Sequence, residues 1–125
     1  MSTLLDWAKA LQNADGSEEL LIELADVFIE ECPEMMRQVR VAIDANNARE
    51  LERSAHSLKG SARIFAASAA ADAAFRLETM GAESNFRDAE DGWAILQFEI
   101  GGLLAALNAR VGGRNSDEAR NERNS

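Results

Sequence analysis

The chain contains one histidine, His56, in the stretch Ala55-His56-Ser57-Leu58-Lys59-Gly60-Ser61-Ala62. A neutral imidazole nitrogen is a good nucleophile near pH 7, because its unperturbed pKa is about 6.5. Lys59, one helical turn further on, can pair with an anion held on that nitrogen. Gly60 follows. In a helix interior glycine costs roughly 1 kcal/mol against alanine, a cost that close approach of another surface would explain. These three residue types in this order suit a histidine that accepts a phosphoryl group from a docking protein.

A helix has to position them. At 100° per residue, Leu51, Ser54, Ala55, Leu58, Ala62 and Phe65 fall on one side, an apolar stripe with small polar breaks. His56 falls roughly opposite, with Arg49, Glu52, Arg53, Lys59, Gly60 and Arg63 within about 60° of it. The imidazole is therefore expected in solvent, in a mostly basic patch.

The run His56-Ser57-Leu58-Lys59-Gly60-Ser61-Ala62 resembles the signature of histidine phosphotransfer (HPt) domains of two-component phosphorelays. Leu77-Glu78 and Gly81 stand where that family has the end of its next helix, and Phe28 with Pro33-Glu34 is similar to its approach to the bundle. The similarity covers roughly Leu4 to Leu107. One departure is Ala66, ten residues after the histidine, where the family usually has glycine.

The resemblance implies a set of roles. His56 would accept a phosphoryl group from a receiver-domain aspartate, or from a histidine kinase, and pass it to the receiver domain of a response regulator. Lys59 would stabilise the phosphoryl charge and Gly60 would admit the partner. Glu78 would orient the imidazole through Nδ1, leaving Nε2 to be phosphorylated. Docking would use the exposed side of the histidine helix and its neighbours, with Arg53 and Arg63 at hand. Ile64 and Phe75 are either part of that surface or peripheral core. The partners implied are receiver domains of response regulators or hybrid histidine kinases. No cofactor is implied, Mg2+ being expected only in the partner receiver. The protein would be a phosphocarrier and no enzyme in its own right. In keeping with that, the sequence has no Gly-x-x-x-x-Gly-Lys-Ser/Thr loop to hold a nucleotide. The alternative is an HPt-like module that docks a receiver without chemistry.

Composition narrows the other classes. The net charge of −9 argues against nucleic acid as partner. Cys32 is the only cysteine, which excludes an internal disulfide and a cage of several cysteines for zinc. With one histidine, the paired Glu-x-x-His motifs of carboxylate-bridged metal bundles cannot be assembled, so no metal site is expected. There is no charged-then-apolar leader, and no unbroken run approaches the ~20 apolar residues of a membrane helix. The expectation is a soluble cytoplasmic protein without a membrane partner.

Abundant alanine, leucine and glutamate, with no tyrosine and one proline, favour helices over sheet. A short helix is expected from Thr3 to Leu11, then a turn at Asn13-Ala14-Asp15-Gly16. Ser17 should cap a helix to about Glu31 that buries Leu20, Leu21, Leu24, Val27 and Phe28. Cys32-Pro33 should interrupt it, and Pro33 to Ala45 should bury Met36, Val39 and Ile43, the two pieces resembling one kinked helix. Asn47 with Glu50 has the pattern of a capping box ahead of the histidine helix. Ser68 is expected to cap the next helix and Gly81 to end it as a C′ residue. After a polar loop, Trp93, Leu96, Ile100, Leu103 and Leu107 give a last helix its seam, to about Arg110. The fold class is all-α: an antiparallel up-down four-helix bundle with a short extra N-terminal helix. Residues 1–111 should form it, with a polar, disordered tail over 112–125. Met1 and that tail point to a chain that stands alone rather than a piece of a longer kinase.

Overall fold

The computed structural model describes residues 4–124, and side chains as far as Gly112. Among the described residues there are five helices and no strand: α1 (Trp7–Asn13), α2 (Glu18–Asp44), α3 (Ala48–Ile64), α4 (Ser68–Ala82) and α5 (Ala89–Asn124). The four longer helices pack in chain order, and α2 also packs on α5, which closes the bundle. Short connections force each helix to run back along the one before it. Leu21, Leu51, Leu58, Phe65, Leu77, Leu96, Ile100, Leu103 and Leu107 fill the centre. Phe28 and Phe65 meet there at 5.7 Å between ring centroids.

The helix ends follow one rule. After each of α1, α2, α3 and α4 a non-glycine residue takes a left-handed conformation, Asp15, Asn46, Ala66 and Ser84, at φ 54, 51, 52 and 52°, and after α1 Gly16 follows at φ 79°. In each case the next N–H returns to a carbonyl five residues back, as from Ala67 to Ala62 and from Asn85 to Met80. This reversal satisfies carbonyls that a helix C-terminus leaves unpaired. Aspartate and asparagine tolerate that conformation, whereas alanine carries a Cβ penalty with nothing to offset it. Ala66 therefore occupies the position at which glycine would be unstrained.

Several expectations need correction. The first helix starts at Trp7, not Thr3, because Asp6 takes the N-cap and accepts from the Lys9 N–H at 3.1 Å. Helix α2 is continuous for 27 residues and includes Pro33. Burial of Phe28 and Cys32 before the proline, and of Val39, Ala42 and Ile43 after it, outweighs the lost backbone hydrogen bond. The buried face of α2 runs Leu21-Ala25-Phe28-Cys32; Leu20 and Val27 are exposed and Met36 is half-buried. Burial pushes the Cys32 thiol up to about 11, so it stays protonated at neutral pH. Ala67, not Ser68, occupies the cap of α4, without a side-chain hydrogen bond. Asn47 caps α3 through Oδ1 on the Glu50 N–H (3.2 Å), but the reciprocal half of the box is absent: Glu50 pairs with Arg53, and the Asn47 N–H goes to Ala42.

Helix α5, expected to about Arg110, runs to Asn124; of the tail expected over 112–125, Gly112 lies in this helix and is half-buried, and no side chain beyond it is described. Its segment Ala89–Gly112 is long and apolar enough to cross a membrane by length and composition, contrary to the reading from unbroken apolar runs. In the bundle that segment supplies Leu96, Ile100, Leu103 and Leu107 to the core. The N-terminal segment packs over it, with Leu4 lying where Gly102 has no side chain.

Candidate functional site

The stripe of α3 is buried as its spacing requires: Leu51, Ser54, Ala55, Leu58 and Ala62 all face the core. Ser54 is accommodated because its hydroxyl donates to the Glu50 carbonyl at 2.7 Å. His56 stands on the other side, its side chain 69% exposed.

Helix α4 comes unusually close to α3. Ala70, Ala73 and Ala74 are buried on it, and Gly81 makes the tightest approach. A Cβ on Gly81 would lie 2.5 Å from the Glu52 nitrogen and 2.7 Å from the Ala48 oxygen, both backbone atoms of α3. So Gly81 is not the C′ residue expected from sequence. It is a helical glycine whose missing side chain sets the distance between the two helices, and Ser84 takes the left-handed position instead. Glu78 precedes Gly81 by one turn on the same side of α4, and at this separation it reaches across to α3.

The Glu78 carboxylate is the hub of the site. Its Oε1 lies 2.5 Å from His56 Nδ1. Lys59 Nζ donates to Oε2 at 2.6 Å and to Oε1 at 3.1 Å. Burial of Glu78 raises its carboxyl, but the hydrogen bonds and charges of Lys59 and His56 outweigh that and hold it below its ordinary 4.5. An ionised carboxylate can only accept, so the proton of the shared hydrogen bond sits on Nδ1. In the neutral ring the lone pair is then on Nε2.

The structure brings His56, Lys59 and Glu78 together, but not with Lys59 as expected. Lys59 was expected on the solvent face beside His56; its side chain is 11% exposed, turned toward α4, and its ammonium lies 5.0 Å from the Phe75 ring centroid. Three residues past His56 is also one past Leu58, which puts Lys59 at the edge of the core where α4 covers it. Gly60 is exposed, and a Cβ there would meet nothing within 4 Å, so no contact inside the protein requires glycine. Arg53 and Arg63 are exposed, Arg53 donating to Glu50 at 2.7 Å. Ile64 and Phe75 are exposed too, Phe75 by 52%, which does not fit the peripheral-core reading of that ring. Among the described residues no group of three or more His, Cys, Asp or Glu side chains could hold a metal ion.

An all-helical bundle that presents one such imidazole defines a class of protein, and comparison with known proteins gives the same class. The sequence matches the Hpt domain family over residues 23–110, and the chain belongs to that family. Its fold is similar to histidine-containing phosphotransfer protein B (HptB) from Pseudomonas aeruginosa PAO1, with a TM-score of 0.81 and 20% identity over 90% of this chain and 97% of that one. It is also similar to the HPt domain of a hybrid sensor histidine kinase from Shewanella, with a TM-score of 0.79 and 17% identity over 89% of this chain and 96% of that one. No curated protein matches the sequence. The function of the family is histidine phosphotransfer in phosphorelays, and its members act as phosphocarriers that partner receiver domains.

Proposed function

We propose that His56 carries the phosphoryl group and that Glu78 and Lys59 hold it ready. The observation that carries this reading is the hydrogen bond from Nδ1–H to a largely buried carboxylate on an otherwise exposed ring. Nε2 attacks the phosphorus of an aspartyl phosphate on a receiver domain. The N–P bond forms as the acyl O–P bond breaks, and the aspartate carboxylate leaves with the electron pair. The ring keeps its Nδ1 proton, so positive charge develops on it directly against Glu78. Lys59, bound to both carboxylate oxygens, fixes the position of Glu78 and offsets its charge. The reverse sequence hands the group to the next receiver aspartate.

Gly60 leaves space on the partner-facing side, and Ile64, Phe75, Arg53 and Arg63 surround the approach. In this reading the carrier is cytoplasmic and partners receiver domains rather than membrane or nucleic acid. It needs no nucleotide or metal of its own, Mg2+ belonging to the receiver. A docking module without chemistry would have no use for the His56–Glu78–Lys59 arrangement.

Incubation with a phosphorylated receiver domain tests the reading. The chain should acquire an acid-labile, alkali-stable phosphoryl group, and His56→Gln should not. The variant should keep its fold, since the side chain is mostly exposed and an amide N–H can still donate to Glu78. Uptake of phosphoryl on nitrogen by His56→Gln would refute the assignment.

A further inference from the structure

By helical register Lys59 is the natural counter-ion for a phosphoryl group on His56, yet its ammonium is committed to Glu78 and its side chain is 11% exposed. Releasing it would leave a carboxylate that is 12% exposed without its main partner. The other side of the ring is different. Side chains in a helix lean toward its N-terminus, so the His56 ring overlies the turn that holds Glu52 and Arg53. There the surface opens into a cavity of about 360 Å³ lined by Arg49, Glu50, Glu52, Arg53, His56, Ser57 and Glu78, its two arginines set among three carboxylates. Lys59 does not line it.

Because Glu78 takes Nδ1, the free nitrogen Nε2 lies on the side of the ring away from that carboxylate. Arg53, three residues before His56 on the same face, is as near in register as Lys59 and lines this cavity where Lys59 does not. Its side chain is 61% exposed, and its bond to Glu50 joins two exposed groups, which contributes little and is easily exchanged. The planar guanidinium presents paired N–H groups that match two phosphate oxygens, which an ammonium cannot do.

We infer that Arg53, not Lys59, is the cation that holds the phosphoryl group on His56, giving up Glu50 for two phosphoryl oxygens. The inference rests on His56 as the acceptor. It divides the labour within α3: Lys59 acts on the ring through Glu78, and Arg53 acts on the transferred group.

The test removes the partner protein, so that docking cannot contribute. Phosphoramidate, whose P–N bond breaks to release ammonia as the His56 N–P bond forms, is used as donor. The phosphoryl resonance is then titrated by 31P NMR in the full chain, in Arg53→Gln and in Arg53→Lys. Loss of a cation in contact with the phosphoryl group raises its titration midpoint by about half a pH unit. That rise should persist in about 1 M salt, where a distant charge is screened. Arg53→Lys should recover part of it. A midpoint in Arg53→Gln that stays within about 0.1 of the unaltered chain, or a rise that salt abolishes, overturns the assignment while leaving His56 as acceptor. If the unaltered chain takes up no phosphoryl group at all, the acceptor reading falls and Arg53 with it.

Discussion

Removing either member of the Lys59–Glu78 pair should cost stability, and removing both should cost little more. The ammonium and the carboxylate are 11% and 12% exposed, at 2.6 and 3.1 Å. Breaking a fully buried pair from one side costs about 3–5 kcal/mol, because a charge is left without its partner. Here a rim of solvent and the face of Phe75 soften that loss, and roughly 2 kcal/mol is expected for Glu78→Leu and for Lys59→Met. The double variant Lys59→Met/Glu78→Leu replaces both charges by apolar atoms and should cost about as much as either single change, a coupling of about 2 kcal/mol. In urea, with a slope near 1.5 kcal/mol/M, each single variant should unfold at a midpoint lower by about 1.3 M, read by circular dichroism. The coupling also has a defined pH dependence. Glu78 is held below its ordinary 4.5 in the fold, so as pH falls the unfolded chain takes up its proton first. The stabilisation is therefore complete above about pH 5 and disappears as pH drops through the lowered folded value. Single-variant costs that simply add in the double variant, or a coupling unchanged at pH 3, would refute the view of the pair as a buried, mutually dependent unit.

Two backbone predictions follow from the turns and the helix contact. Ala66→Gly removes a Cβ from a residue at φ 52° and should stabilise the chain by about 1 kcal/mol, seen as a melting temperature higher by about 4 °C. A lower melting temperature would mean that the Ala66 methyl group packs for more than its conformation costs. Gly81→Ala puts a methyl group against two backbone atoms that cannot rotate away, and should cost about 3 kcal/mol. It should also move Glu78 off His56, changing the 15N shift of Nδ1, and an unchanged shift would separate helix spacing from the site.

The bundle was legible from sequence because its longer helices carry apolar spacing that survives any detail at their ends. The histidine helix was the clearest case, every residue of its stripe from Leu51 to Ala62 being buried. What was not legible had physical causes. The ends after α1, α2 and α4 carry Asp15-Gly16, Asn46-Asn47 and Ser84-Asn85, which announce a reversal, whereas Ala66 makes the same reversal with a residue that has no turn signature. Pro33 reads locally as a break, and the tertiary burial on both sides of it cannot be seen in a five-residue window. Gly81 has two possible uses, helix end or helix contact, and only the position of α3 decides between them. Within the site, His56 and Glu78 were placed together by the resemblance, and the structure adds the 2.5 Å geometry. Lys59 was misplaced because a wheel centred on His56 ignores the neighbouring helix that covers its edge. The cavity beside Arg53 depends on side-chain lean and on α4, and no spacing rule contains it.

The segment ahead of α2 bears on where this unit can be cut. The family match opens at residue 23, inside α2, and leaves α1 out. Yet Asn13 Nδ2 donates to the Arg63 and Ile64 carbonyls at 3.3 and 3.1 Å, and the Asp6 N–H donates to Phe65 at 3.3 Å. Those are the last carbonyls of the helix that carries His56. A graft that spliced the carrier into another chain at the family boundary would take these donors from the Ile64 and Phe65 carbonyls, leave that of Arg63 with the Ala66 N–H alone, and remove Ala10, Ala14 and Leu21 from the core. The join belongs ahead of Leu4, and a portable version of this phosphocarrier is longer than the signature by which it is found.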